Sequence, residues 1–289
     1  MFYRTLWAAL AILLAIGVGA GVYMLYVTFA PGLGDDPVST KLAYNAATKW
    51  HSVAMAFSLP LALIGGLSAF LLAERYQGSL AATVWNMSGL AIIALAFCGL
   101  VFAEPLQFWL AGSGIEIMAV GCALSAALLL VLHPARNASA FIFMGSCLVP
   151  VLFYITFFWL VETQFRSSVL QDTHVATSGL HLIGVTLPLL MLSAMSVWAK
   201  ARGAQLNGWV TAAYVAALFV ITRFYLVAHS AAGMNGMPRR YADYPDVFEP
   251  MMRSASLFGV IYGALIIVGL VRIVAAVWRR ARSTAADLF

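Results

Sequence analysis

Five histidines punctuate a chain that is otherwise overwhelmingly apolar, and two of them, His51 and His181, fall within runs long enough to cross a bilayer. Ionisable side chains at membrane depth are costly and are candidates for function by default. His51 opens one apolar run, and His181 lies about two turns into another. Both runs descend from the same side, so the two imidazoles are expected at similar depth. Neutral imidazoles facing each other across a helix bundle suit the two axial positions of a low-spin haem iron. The alternative is two unrelated histidines bonded to neighbouring helix carbonyls. His133, His174 and His229 stand near run ends, where interfacial polar residues are ordinary.

The stretch GMPRRYADYPDVF, residues 236–248, interrupts the apolar pattern with adjacent arginines, Arg239 and Arg240, two aspartates and two prolines. Pro238 and the DYPD turn stiffen this loop. A haem with its plane along the bundle axis points two propionates at one membrane face. Adjacent guanidinium groups offer them forked, charge-assisted hydrogen bonds. Arginines meeting lipid headgroups would explain the charge but not the turn chemistry around it.

These residues need helices to hold them. The 289-residue chain is 63% hydrophobic and 9% charged, which excludes a soluble domain of this size and marks an integral membrane protein. The net charge of +5 is ordinary for this class and gives no reason to expect nucleic-acid binding. Cys98, Cys122 and Cys147 show no paired spacing and read as small core residues. Eight runs reach the length of roughly 20 apolar residues that a spanning helix needs: 6–30, 52–73, 82–103, 115–133, 139–161, 175–199, 208–231 and 254–278. The first run exceeds the apolar core of a signal peptide, so it is expected to be retained. Gly17, Gly19 and Gly21 within it suit close helix packing. The lead-in to the second run predicts an early helix start, with Asp36 as cap and Pro37 in the first turn.

Loop charge sets the orientation. One set of loops and termini carries Arg4, Arg75, Arg136, Lys200, Arg202, Arg272, Arg279, Arg280 and Arg282 against only Glu74 and Asp287. The other carries most of the acids: Asp35, Asp36, Glu116, Glu162, Asp172, Asp243, Asp246 and Glu249. The positive-inside rule places both termini in the cytoplasm and the arginine loop outside. With no linker or low-complexity tract, residues 1–289 form one all-α transmembrane domain, an eight-helix bundle. Arg223 lies within the seventh run, where an unpaired charge costs ~2.5–3.5 kcal/mol on insertion scales. Its options are snorkelling outward, pairing with Glu104, or pairing with a haem carboxylate.

Three stretches together resemble the catalytic subunit of haem–copper oxidases, cytochrome c oxidase subunit I. GMPRRYADYPDVF is similar to that family's loop before its last helix, where an arginine pair binds the propionates of the low-spin haem. LGDDPVSTKLAYNAATKWHSVAMAFSLPLALIGG resembles the approach to its second helix, and QDTHVATSGLHLIG resembles its tenth. WNMSG fits the opening of its third helix. The likeness covers about 1–133 and 170–278, and residues 134–169 match poorly.

The resemblance implies that His51 and His181 ligate a low-spin haem, that Arg239 and Arg240 hold its propionates, and that Tyr44, seven positions before His51, lies near a propionate. The departures from the family are as informative. Gly179 stands where the oxygen-reducing haem has its axial histidine, and the copper ligands have no counterpart. Eight runs replace twelve. Gln171 replaces the histidine beside Asp172 at the outer metal site, so no magnesium is expected. Leu25 and Tyr26 stand where the family has an arginine on the formyl group of its haem, which favours haem b over haem a.

The expectation is a b-type cytochrome-like electron-transfer subunit with one low-spin haem, no copper and no catalytic residues of its own. Its setting would be the bacterial cytoplasmic (inner) membrane, with the haem edge towards the periplasm. Partners would be membrane or periplasmic redox subunits, such as a cytochrome c, a cupredoxin or a metalloenzyme domain, with quinone as the membrane partner, although no quinone pocket is identifiable. The first alternative is a haem-free structural or assembly subunit of a respiratory complex. The second, a terminal oxidase, lacks the histidines for a second metal centre.

Overall fold

Prolines and glycines govern how the apolar runs become helices. The structure is a computed structural model that describes residues 2–29, 37–110, 114–164, 181, 184–236 and 246–286. Among these residues all regular structure is helical. The long α1, Phe2–Phe29, is followed by α2, Pro37–Val53, which starts at the proline the sequence placed in a first turn. Helical geometry continues through two π-helical segments, Ala54–Ser58 and Leu61–Gly66, into α3, Leu67–Arg75. Pro60 sits between the widened segments. Its ring clashes with the carbonyl four residues back and it donates no hydrogen bond, so the helix loosens around it rather than breaking.

The same rule cuts two other runs. Helix α4, Leu80–Val101, ends four residues before Pro105, and a short α5, Ala103–Trp109, follows after Phe102. After α6, Ile115–Leu132, the next run divides into α7, Ala138–Ser146, and α8, Leu148–Gln164, and Ser146 stands four before Pro150. Each helix stops at the carbonyl the proline would have left without a partner. Helices α9 (Thr186–Ala201), α10 (Gly208–Met234) and α11 (Glu249–Ala286) complete the chain, and Asn137 and Asn207 cap α7 and α10 by accepting from the backbone N–H three residues on.

Seven helices among the described residues are long and apolar enough to cross a membrane, which supports an integral membrane protein. They match seven of the eight expected runs. The remaining run, 175–199, is described only in part: α9 has 16 residues, with His181 and Gly184 ahead of it. Aromatic residues mark both ends of the bundle. Trp209 and Trp278 are exposed at one end, and Trp50 and Trp109 at the other, as belts at two interfaces require.

Two helices form the interior. An 18-residue apolar stretch within Leu42–Arg75 is 78% buried, whereas the corresponding stretches of the other six spans are 17–39% buried. Every residue of α9 from Thr186 to Ala199 except Pro188 is buried. Leu61–Arg75 packs directly on α9, which also contacts α6, α7 and α11, while α10 pairs with α11. His51 therefore stands just ahead of the buried stretch of one central element, which begins at Val53, and His181 lies one turn ahead of the other, its carbonyl accepting from Val185 N at 3.0 Å.

The basic loops converge at one end. Arg202 meets Glu74 at 2.6 Å and lies over the Tyr3 ring at 4.7 Å. Asn137 Nδ2 donates to the Ser196 carbonyl at 2.8 Å, and Arg272 donates to the Asn207 carbonyl and to Thr211 Oγ1, both at 3.2 Å. The tips expected on one membrane face do gather on one face of the bundle.

Candidate functional site

His51 ends the polar half of α2, immediately before the first π-helical segment. Its Nδ1 lies 2.8 Å from the Gly17 carbonyl on α1. A carbonyl oxygen only accepts, so Nδ1 carries the proton and donates, and the neutral ring keeps its lone pair on Nε2. The approach depends on glycine. A Cβ at Gly21 would sit 2.9 Å from His51 Nδ1, and one at Gly17 would sit 2.6 Å from Met55 Sδ. Gly19, on the same helix, faces nothing within 4 Å. Two of the three expected packing glycines thus press α1 onto α2, and the third does not.

A metal-bound imidazole ordinarily donates its other ring N–H to a carbonyl or carboxylate, which fixes the tautomer and the ring plane. His51 has this arrangement, which suits an axial ligand and is equally that of a histidine bonded simply to a neighbouring helix carbonyl. Tyr44 lies two turns before it on α2, close to the same helix face. The side chain of Thr48 between them bonds back to the Tyr44 carbonyl at 2.9 Å.

His181 lies among aromatic rings. Its ring centroid is 5.0 Å from that of His229 and 5.1 Å from that of Tyr225. Tyr225 and His229 are one turn apart on α10 and meet edge-on at 4.8 Å, and Tyr225 stacks on Tyr262 of α11 at 6.5 Å. His229 is therefore buried among the helices although it stands near a run end. The signal was present in the sequence. His181 and His229 stand about twenty residues either side of the 202–207 turn, so antiparallel helices must bring them to one height.

No family model and no curated protein matches the chain. The resemblance to oxidase subunit I is therefore one of sequence motifs alone.

Arg239 and Arg240 lie outside the described residues, as do Asp172, Gln171, His174 and Gly179. Among the described residues, His, Cys, Asp and Glu side chains form no group of three or more. A bis-histidine centre draws only two ligands, one from each of two helices. The described contacts tie His51 to α1 and His181 to α10.

Other polar residues resolve more simply. Glu104 pairs with Lys49 at 3.1 Å, and no ion pair among the described residues joins it to Arg223. His133 caps the end of α6, its Nδ1 accepting from Ala135 N at 3.1 Å. Glu116 and Tyr154 form a pair between α6 and α8, with the tyrosine hydroxyl donating at 2.5 Å. Sequence reading placed Glu116 among the outer loop acids and missed this partner, because no periodicity links the two positions.

Proposed function

We propose that the protein is a membrane-bound electron-transfer subunit that holds one low-spin haem b between His51 and His181. The observation that carries this reading is the Nδ1 hydrogen bond from His51 to the Gly17 carbonyl, which leaves Nε2 as the lone-pair nitrogen just ahead of the buried stretch of a central helix. His181 stands ahead of the other central helix, which packs on the continuation of the first. The bound haem would supply one-electron transfer. The chain's own work is to fix two imidazoles, exclude water with the apolar core, and place Arg239 and Arg240 at the propionates. Tyr44 would stand on the propionate side.

In this reading the bundle has eight spans, both termini face the cytoplasm, and the haem edge faces the periplasm. The membrane is the bacterial inner membrane. A periplasmic redox subunit on one side and quinone or a membrane subunit on the other complete the electron path. A pyridine haemochrome spectrum of the purified chain tests it: one haem b per chain is expected, and a chain purified without haem from haem-replete cells overturns it.

A second reading, a haem-free structural subunit, is favoured by the packing of His181 directly on His229 and Tyr225 and by the bond of His51 to a neighbouring helix carbonyl. In that case the imidazoles stabilise helix contacts, and the spectrum carries no haem bands.

A further inference from the structure

Arg223 occupies the sixteenth position of the 27-residue helix α10, close to its midpoint. It is exposed, and no ion pair among the described residues includes it. At 1.5 Å per residue the ends of α10 lie about 22 Å and 16 Å away along the axis. A hydrocarbon core about 30 Å thick therefore surrounds this guanidinium. Snorkelling is opposed by helix geometry, since side chains lean towards the helix N-terminus, here the farther end.

The face around it is patterned. Ala213, Ala216, Val220, Arg223 and Val227 are all exposed and follow each other at intervals of three, four, three and four, with Ala217 and Phe224 exposed beside them. This is the spacing of a seam that packs along a second helix. The buried seam of the same helix, Thr211, Val215, Leu218, Thr222 and His229, is already used against the bundle. One charged position within an apolar seam sets register and selects a partner.

We propose that this face of α10 docks a transmembrane helix of another protein that carries an aspartate or glutamate at mid-membrane depth, facing Arg223. Charge decides the occupant. A second copy related by a two-fold axis along the membrane normal would set two Arg223 side chains at the same depth and repel. Lipid tails offer no acceptor. A carboxylate on an otherwise apolar helix neutralises the charge and supplies forked hydrogen bonds. The proposal rests on Arg223 and the exposed seam that carries it, and does not depend on whether the chain carries haem.

The test places a photo-crosslinking benzophenone amino acid at Val220 or Val227 of the full chain in its native membrane, and sequences the crosslinked peptide. The expected adduct is one apolar segment with an Asp or Glu within a turn of the crosslink. Its yield should drop at least several-fold in Arg223→Leu and persist in Arg223→Lys. Arg223→Glu should lose the adduct, and changing the identified carboxylate to Arg should restore it. Size-exclusion profiles of the variants verify folding, and Arg223→Lys keeps the test decisive if the leucine variant aggregates. Adducts to lipid only, to another copy of this chain, to a segment without a carboxylate, or an unchanged yield in Arg223→Leu overturn the proposal.

Discussion

The imidazole of His51 on α2 and the backbone of Gly17 on α1 are joined by a 2.8 Å hydrogen bond that crosses between helices. The bond exists because α1 presents backbone rather than side chain at two positions one turn apart. Gly17 gives room to Met55, and Gly21 gives room to the His51 ring itself. Orientation of the candidate ligand is therefore written into a different helix from the one that carries it.

Gly21→Leu is expected to displace the His51 ring and to cost about 1–3 kcal/mol through overpacking. Gly19→Leu, on the same helix but facing open space, is the control and should be near neutral. Melting temperatures in detergent and the intensity of the low-spin haem band measure both effects. Equal losses in the two variants would mean that the glycine contact does not set the ring.

His133 supplies a pH dependence outside the spans. Burial holds its imidazole below the ordinary value, with Glu74 pulling upward and Arg75 assisting the fall. The folded chain then binds fewer protons here than the unfolded chain, so this contribution is present above about pH 6.5 and is lost as pH falls through the lowered folded value. Acidification from about pH 7.5 to about pH 5.5 should lower the melting temperature. His133→Asn keeps an acceptor for the Ala135 N–H and should flatten that slope. A slope unaltered in the variant would assign it to other groups.

Arg202 ties three elements together at the basic end, pairing with Glu74 and lying over Tyr3. The pair is about one-third exposed on each side, so solvent weakens it. The cation–π contact adds roughly 0.5–1 kcal/mol. Arg202→Ala should cost about 1–2 kcal/mol in thermal unfolding, and Arg202→Lys less. A neutral Arg202→Ala would make the cluster a surface contact only.

How much of this was legible in sequence varied with the physics involved. Hydropathy found every described span, because a spanning helix must be long and apolar whatever its neighbours. The local breaks at Phe102 and Cys147 were also available, since Pro105 and Pro150 stand four residues beyond the helix ends, but hydropathy averages over them. The partner of His51 was not legible. Three glycines on α1 looked equivalent, and only the rotation of α1 against α2 distinguishes Gly17 and Gly21 from Gly19. Likewise, Glu104 lies near Lys49 only because Phe102 turns the chain into α5. Side-chain partners across helices depend on rotation about helix axes, which composition does not encode.

Under the proposed haem-binding reading, the arginine loop gives a redox outcome. A fixed positive charge near the propionates favours the reduced haem, so Arg239→Gln and Arg240→Gln should each lower the midpoint potential. One unit charge about 10 Å from the iron at an effective dielectric of ~20 gives ~1.7 kcal/mol, on the order of 70 mV for one electron. Solvent at the outer face reduces this to a few tens of millivolts. Redox titration reads the shift, and unchanged potentials with unchanged haem content in both variants would make these ordinary interfacial charges.

The most direct measurement is the dithionite-reduced spectrum of the purified chain and of three single variants. The native chain should show one low-spin bis-imidazole haem b. His51→Ala and His181→Ala should each lose that signature, and His229→Ala should keep it. A native spectrum without haem bands, or a normal bis-imidazole spectrum in His51→Ala, would contradict ligation by His51 and His181.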